Sequence, residues 1–233
     1  MWGYIRQEAS NGRKTWMSEE WVAGLHFAVL HCGHINTPLY QYRLVHKLRR
    51  MRAWGVRQSI VPREWETLCL REGIRPVTEA PLRQALMEPL WDRFCQERNL
   101  CVRGNAVCLQ GKRNDAVVEQ ATIMIARKVR YLVLELEEGQ AQMEDWLRNE
   151  YGLCVGCCGH SVVAKICCDK TSVQSIPTLW LGEGCERYQR VTYRLNGIWQ
   201  GKVEENPQLL TVLWTEGKLT PEDIAIKSVE SYA

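Results

Sequence analysis

The sequence predicts an α/β protein with a Rossmann-like, mostly parallel sheet in the C-terminal half and a smaller basic lobe, α/β or helical, at the N-terminus. Three observations support this fold class. Short apolar runs alternate with helical patterns between Ala106 and Cys168, as in parallel βαβ units. These runs contain few polar residues, which suits a sheet covered on both faces. The 233 residues are 45% hydrophobic and 24% charged, enough to bury one large core or two small ones.

The strands of the C-terminal half are predicted from its apolar runs. These are Asn105–Gln110, Tyr131–Leu136, Leu153–Cys158, Val162–Cys168 and Thr178–Leu181. Two helices lie between the first three runs; Asp115 caps one, and Gly152 ends the other. Arg190–Leu195 is a further strand, which the turn Asn196-Gly197 joins to a hairpin partner at Ile198–Lys202. Asn206 begins a last helix, and Ile224–Val229 is a last strand.

The N-terminal half is less regular. Ser18–Leu30 is predicted to be a helix with Ser18 as its cap, and the sequence His31-Cys32-Gly33-His34 is interpreted as its end. The other elements are a helix at Tyr40–Trp54, a strand at Val56–Val61, a helix at Glu64–Glu72, a short strand at Ile74–Val77, and a helical segment at Pro81–Asn99 interrupted at Pro89. The boundary is placed near Asn99–Asn105, giving domains 1–100 and 101–233.

Charge is divided unequally along the chain. Residues 1–103 carry 16 Lys/Arg and 10 Asp/Glu, whereas residues 104–233 carry 14 and 17. The basic half is therefore the part suited to an anionic partner. No apolar stretch approaches the ~20 residues that cross a bilayer, and the N-terminus has no apolar leader pattern. Eleven cysteines, an odd number, argue against a closed disulfide framework and favour a reducing cytoplasm.

A ligand site is predicted where the parallel strands end. The turn after the first strand of the C-terminal half offers Lys112, Arg113 and Asp115 at a helix N-terminus, a favourable place for phosphate. The neighbouring strand ends add His160, Asp169 and Lys170, because carboxyl ends of parallel strands share one edge. The predicted ligand is an anionic small molecule, a nucleotide or phosphorylated metabolite. The alternative is an ordinary polar loop capped by Asp115.

The cysteine cluster suggests a metal site. Cys154, Cys157, His160 and Cys167 offer thiolate and imidazole ligands of the kind that bind Zn²⁺. Adjacent cysteines such as Cys167 and Cys168 cannot both face one metal from a strand, because their side chains point to opposite faces. The alternative is that these cysteines are small buried hydrophobic residues.

A basic helix face is the third candidate site. Arg43, Lys47, Arg49 and Arg50, with Arg52 and Arg57 nearby, are spaced to contact phosphates of a nucleic acid. The aromatic residues Tyr40, Tyr42 and Trp54 are placed to stack on bases. The alternative is a solvated helix face.

The preferred function is binding of an anionic small molecule at the strand ends. The alternatives are nucleic-acid binding through the basic helix, an enzyme acting on small molecules, and a zinc-stabilised interaction module. For an enzyme, His160 and Asp169 are the first acid–base pair to consider, but the pattern assigns no catalytic residue. The sequence contains no Walker motif, Gly-x-Ser-x-Gly elbow or His-Glu-x-x-His motif, so nucleotide hydrolases, serine hydrolases and zinc proteases of the familiar kinds are not expected.

Overall fold

Distant segments of the chain fold together into each of two units. In a computed structural model, which describes residues 1–8, 15–33, 37–156, 161–169 and 176–232, unit 1 comprises Met1–Val77 and Gly201–Lys218. Unit 2 comprises Thr78–Gln200 and Leu219–Ala233. The predicted boundary near Asn99–Asn105 lies inside unit 2. The helical segments before it therefore belong to the same unit as the parallel strands that follow.

Unit 1 contains a five-stranded sheet. Its strands are β1 (Trp2–Gln7), β2 (Trp16–Val22), β3 (Leu25–Cys32), β4 (Gln58–Ile60) and β5 (Arg75–Pro76), in the order β2-β3-β1-β4-β5. All neighbours are parallel except β2, which is antiparallel to β3. The helices are α1 (Pro38–Ala53), α2 (Glu66–Arg71) and α7 (Pro207–Thr215). Side chains of α1 such as Leu44 and Leu48 pack with Ala28 and Leu30 of β3 to form its core.

The predicted helix at Ser18–Leu30 is wrong, because this segment forms the β2–β3 hairpin. Ala23 and Gly24 make its turn, with φ of 50° and 76°, the conformation of the tight turns that suit twisted antiparallel strands. β3 is paired on both sides, with β1 and with β2, so long-range pairing outweighs the local helical pattern. The predicted helix end is wrong for the same reason: His31 and Cys32 close β3, and His34 lies outside the described residues.

Unit 2 contains a five-stranded, entirely parallel sheet. Its elements are α3 (Ala80–Ala85), α4 (Met87–Glu97), β6 (Ala106–Arg113), α5 (Ala116–Ala126), β7 (Tyr131–Glu138), α6 (Gln140–Tyr151), β8 (Cys154–Val155), β9 (Val162–Cys167) and β10 (Thr178–Trp180). The strand order is β8-β7-β6-β9-β10. The prediction of a mostly parallel sheet in the C-terminal half is confirmed. Asp115 caps α5, and Gly152 ends α6 in the left-handed conformation, as their residue types predict.

Unit 2 also holds an antiparallel pair, β11 (Gln189–Leu195) and β12 (Ile224–Ser231). The predicted hairpin partner at Ile198–Lys202 is wrong, because Gly197–Trp199 forms a 3-10 turn and the partner of β11 is the distant β12. Local turn residues do not reveal such a partner. The seven α-helices of the described segments include none that is long and apolar enough to span a membrane.

The predicted interruption in Pro81–Asn99 falls earlier than Pro89. One helix ends before Leu86, and α4 begins at Met87. Pro89 then sits in the first turn of α4, where its missing N–H breaks no helical hydrogen bond. Proline thus helps to start a helix here.

Candidate functional sites

The structure describes four of the six predicted ligand residues at the carboxyl edge of the unit 2 sheet. Lys112 and Arg113 end β6 and are exposed. Asp169 follows β9, and its carboxylate accepts a hydrogen bond of 2.6 Å from the Lys112 backbone N–H. The parallel pairing of β6 with β9 causes this approach, as the sequence predicts. Asp115 lies beyond β6 at the start of α5, whereas His160 and Lys170 lie outside the described residues.

The amides that a phosphate would use at this edge already have partners. Asp115 Oδ1 accepts hydrogen bonds of 3.1 Å from the N–H groups of Val117 and Val118. Together with the Asp169 contact, these hydrogen bonds show that carboxylates of the protein occupy the amides that were predicted to bind the phosphate of a ligand. The end of β7 adds further negative charge through exposed Glu137 and Glu138. An anionic ligand would therefore be held by the Lys112 and Arg113 side chains, because those amides are occupied.

Gly111 sets the distance between β6 and α5 beneath this edge. A Cβ at this position would lie 2.7 Å from Val118 Cγ2 and 3.2 Å from Leu136 Cδ2. The absence of a side chain lets the helix approach the strand closely, the role that packing glycines have in doubly wound sheets.

A buried lysine beside this edge was missed by the sequence analysis. Lys165 of β9 has a side chain only 5% exposed, and its Nζ lies 2.6 Å from Glu135 Oε2 of β7. Gln110 of β6 lies between them, with its Oε1 3.5 Å from Lys165 Nζ and 3.3 Å from Cys167 Sγ. We call these four residues the Lys165 group. Its members are polar or thiol residues on one face of three neighbouring strands. Because alternate residues of a strand share a face, the spacing of these residues in the apolar runs could have predicted the group.

Burial controls the chemistry of the thiols near the Lys165 group. Desolvation raises the pKa of Cys108 to about 12, although the charge of Lys165 opposes the shift. Burial also raises the pKa of Cys168, further than that of Cys108. Both side chains therefore remain neutral thiols near neutral pH. A buried neutral thiol packs like a small apolar group.

The predicted zinc ligands are largely outside the described structure. Cys157 and His160 lie in an undescribed segment, and only the backbone of Cys154 is described. Cys167 is buried, packs with Trp180 and donates its thiol hydrogen to Gln110. Within the described residues, no group of three or more His, Cys, Asp or Glu side chains is arranged to hold a metal ion. The zinc site therefore stays a prediction.

Unit 1 carries the predicted basic helix face. Helix α1 begins at the Thr37 cap and buries the stripe Tyr40, Leu44, Leu48 and Met51. Its remaining surface and the loop after it present cations, which we call the arginine surface: Arg43, Lys47, Arg49, Arg50, Arg52 and Arg57. All are exposed except Lys47, which is half-buried. Five of these six cations lie on α1 and Arg57 lies in the loop after it, and their contact with nucleic acid stays a prediction.

A shallow groove lies at the C-terminal end of α1. Arg49, Arg52, Arg57 and Glu72 line it, together with Ala53. Arg49 Nε contacts Glu72 Oε2 at 2.8 Å, and Arg52 Nη1 donates to the Glu72 backbone carbonyl at 3.3 Å. Arg57 Nη1 donates to the Arg52 carbonyl at 3.3 Å. The groove is therefore lined by three guanidinium groups and one carboxylate, which leaves an excess of positive charge.

The aromatic residues near this surface differ in availability. Tyr42 is 73% exposed and is free to stack. Tyr40 is buried and its hydroxyl hydrogen-bonds with Gly33, so the prediction that it stacks on bases is wrong. Trp54 is half-buried and lies under the Arg50 guanidinium, 5.1 Å from the ring centroid. Burial of the α1 stripe, rather than sequence spacing, decides which ring reaches solvent.

Comparison with known proteins gives no family for this chain. No protein-family model matches the sequence, and no curated protein matches it. Among solved structures, it is similar to L-tryptophan dehydrogenase from Nostoc punctiforme with a TM-score of 0.35 and 14% identity. The match covers 84% of this chain but only 57% of the dehydrogenase. Similarity of this degree does not identify a function.

Proposed function

We propose that the protein binds nucleic acid through the arginine surface. The observation that carries this proposal is the local excess of cations. Residues 38–77 contain nine Lys/Arg and three Asp/Glu, and Glu72 is engaged by Arg49. Guanidinium groups present planar pairs of donors that match phosphate oxygens. Exposed Tyr42 adds a ring on which an unpaired base can stack.

Salt dependence tests whether phosphates are the contacted groups. If all six cations of the arginine surface release counterions, affinity for duplex DNA should fall about a thousandfold between about 50 and 200 mM salt. The measurement is fluorescence anisotropy of a labelled duplex and of a labelled single strand, titrated with the full chain. A smaller slope for the single strand is expected because its charge density is lower.

Matched substitutions locate the binding surface. Arg49→Gln and Arg50→Gln should each weaken binding and reduce the salt slope by about one. The control is Arg148→Gln: Arg148 is an exposed arginine of α6 paired with Asp145 at 3.0 Å, much as Arg49 is paired with Glu72. Binding that is insensitive to salt, or equal losses in all three variants, would exclude the arginine surface.

A second candidate is binding of an anionic small molecule at the carboxyl edge of unit 2. The strand order β8-β7-β6-β9-β10 favours it. The chain adds β7 and β8 on one side of β6 and then β9 and β10 on the other side. In Rossmann-like sheets, ligands bind at the carboxyl ends of the two strands where the order changes side, here β6 and β9. Lys112 lies at that point and contacts Asp169 across it. The side chains of Lys112 and Arg113 would hold the anion.

Thermal shift with nucleotides and phosphorylated metabolites tests this candidate. A ligand should stabilise the wild type and lose its effect in the Lys112→Ala/Arg113→Ala variant, since binding to the native state raises the melting temperature. The Arg49→Gln/Arg50→Gln variant should keep the effect, which separates this site from the arginine surface. No shift with any ligand would remove the candidate.

A further inference from the structure

Three side chains of unit 1 meet in the arrangement of a nucleophile, a base and an orienting carboxylate. Ser18 Oγ lies 2.9 Å from His31 Nε2, and His31 Nδ1 lies 2.8 Å from Glu8 Oε1. We propose that unit 1 carries an acyl-transfer activity on esters or thioesters, with Ser18 as nucleophile, His31 as general base and Glu8 as a positioning residue. The inference is independent of nucleic-acid binding and of the carboxyl edge of unit 2.

The contacts on both sides of the imidazole define its role. A carboxylate at Nδ1 keeps the proton on that nitrogen, which leaves the lone pair of Nε2 directed at the Ser18 hydroxyl. Both distances fall within the range required between a nucleophile, its base and the group that orients the base. His31 is only 6% exposed, so bulk water does not compete strongly for these hydrogen bonds.

The sheet topology assembles the three residues from separate strands. β3 lies between β1 and β2, and His31 is in register with Arg6 on one side and Trp16 on the other. The Glu8 backbone N–H donates to the Cys32 carbonyl at 2.9 Å, which continues the β1–β3 pairing and places Glu8 beside His31. Ser18 lies two residues beyond Trp16, on the same face of β2. No Gly-x-Ser-x-Gly motif is needed, since such triads are defined by geometry.

Packing fixes the orientation of the imidazole. The Trp16 ring stacks on His31 with centroids 4.6 Å apart and planes 6° from parallel. Stacking on one face and hydrogen bonds at both nitrogens leave the ring little freedom to rotate. Such preorganisation is what a general base requires.

A second carboxylate stands near the nucleophile. Glu20 Oε1 lies 3.3 Å from Ser18 Oγ and 3.5 Å from His31 Nε2. Arg6 Nη1 binds both Glu20 oxygens at 3.1 and 3.2 Å, which partly neutralises them. The Ser18 proton has a shorter path to His31 than to Glu20. Once His31 has accepted that proton, Glu8 and Glu20 both stabilise the imidazolium.

The proposed reaction uses water as its only co-reactant. Ser18 Oγ forms a bond to the acyl carbon while its proton passes to His31 Nε2 and the carbonyl π electrons move to oxygen. Collapse of this intermediate breaks the bond to the leaving alcohol or thiol, which takes the proton from His31. Water then attacks the acyl-serine with His31 as base, releasing the carboxylic acid and restoring Ser18. In the described sheet β2 is the terminal strand, so alternate backbone N–H groups of β2 face away from β3.

A fluorophosphonate probe tests the nucleophile directly in the full chain. Peptide mapping should find one stoichiometric adduct on Ser18, absent in Ser18→Ala. Glu8→Gln should slow labelling by a factor of about ten or more, while its circular dichroism stays unchanged. The same kind of substitution in a serine protease triad slows catalysis even more. The matched control is Ser228→Ala, because Ser228 is a half-buried strand serine bonded to the Thr192 hydroxyl. It should label as the wild type does.

The same probe supplies the outcomes that overturn the proposal. Two results would show that these three residues only stabilise the pairing of the strands. One is the absence of an adduct on Ser18. The other is an equal labelling rate in the wild type, Glu8→Gln and His31→Gln. If His31→Gln fails to fold, Glu8→Gln decides, because Glu8 acts only by orienting the His31 imidazole. A wild-type labelling rate in folded Glu8→Gln contradicts the mechanism. Turnover of p-nitrophenyl acetate should follow the labelling rates.

Discussion

Replacing Arg83 by methionine should be among the most destabilising single changes in unit 2. Arg83 of α3 is completely buried and binds Glu79 Oε2 through Nη2 at 2.7 Å and through Nε at 3.2 Å. Its Nη2 also donates to the Gln189 carbonyl of β11 at 2.7 Å, and Nη1 lies 3.5 Å from the Trp180 carbonyl of β10. One guanidinium thus joins a helix, the parallel sheet and the antiparallel pair.

The expected cost follows from what the substitution leaves behind. Methionine has a similar length but no donors, so the Glu79 carboxylate stays buried without its cation. Removing one partner of a buried ion pair typically costs about 3–5 kcal/mol, a large part of the ~5–15 kcal/mol that holds a domain folded. Urea unfolding followed by tryptophan fluorescence measures this loss. A cost below about 1 kcal/mol would refute the argument that the pair is tightly coupled.

The pH dependence gives an independent check. Burial raises the pKa of Glu79 above its ordinary value, and the charge of Arg83 opposes that shift. Without Arg83 the pKa rises further, so the folded variant takes up a proton more readily than its unfolded chain. The stability deficit of Arg83→Met should therefore shrink as the pH falls from above the raised pKa of Glu79. A deficit that grows on acidification would contradict this sign.

A double variant separates the lost charge from lost packing. Glu79→Gln/Arg83→Met replaces the orphaned carboxylate with a neutral amide, which costs less to bury. It should be about 1–2 kcal/mol more stable than Arg83→Met alone, because contacting residues do not contribute additively. If the two single losses simply add, the carboxylate is not the source of the cost.

Three further predictions concern unit 2. Gly182→Ala should destabilise the protein by more than about 2 kcal/mol, because the new Cβ would lie 2.1 Å from the Cys168 backbone oxygen, which cannot rotate away. Thermal unfolding measures this loss of stability. A change within about 0.5 kcal/mol would show that the strands separate easily. Asp115→Ala should cost about 1 kcal/mol by removing the cap of α5, whereas Asp115→Asn should retain most of it, as chemical denaturation can show. Iodoacetamide near pH 8 should modify exposed Cys101 long before Cys108, whose pKa is raised to about 12. Mass spectrometry under native and denaturing conditions compares the two rates, and equal rates would mean that Cys108 is not protected.

Most helices and strands of the C-terminal half could be predicted from local sequence patterns. The Asp115 cap, the Gly152 helix end and the apolar runs between them act over a few residues, so their outcome is the one the sequence predicts. The β2–β3 hairpin could not be predicted from the sequence, because Ser18–Leu30 contains apolar residues at both helical and alternate spacings. Only the pairing of β3 with β1 chooses between those two periods.

Long-range pairing likewise decides which side chains meet. Sequence patterns correctly predicted the alternation of strands and helices between Ala106 and Cys168 and the concentration of positive charge on α1, because both depend on residues close along the chain. Only folding of the whole chain brings segment 201–218 into unit 1, places Lys165 against Glu135, and brings Ser18, His31 and Glu8 together. These outcomes depend on strand order and register, which arise from the packing of the whole sheet rather than from residues close along the chain.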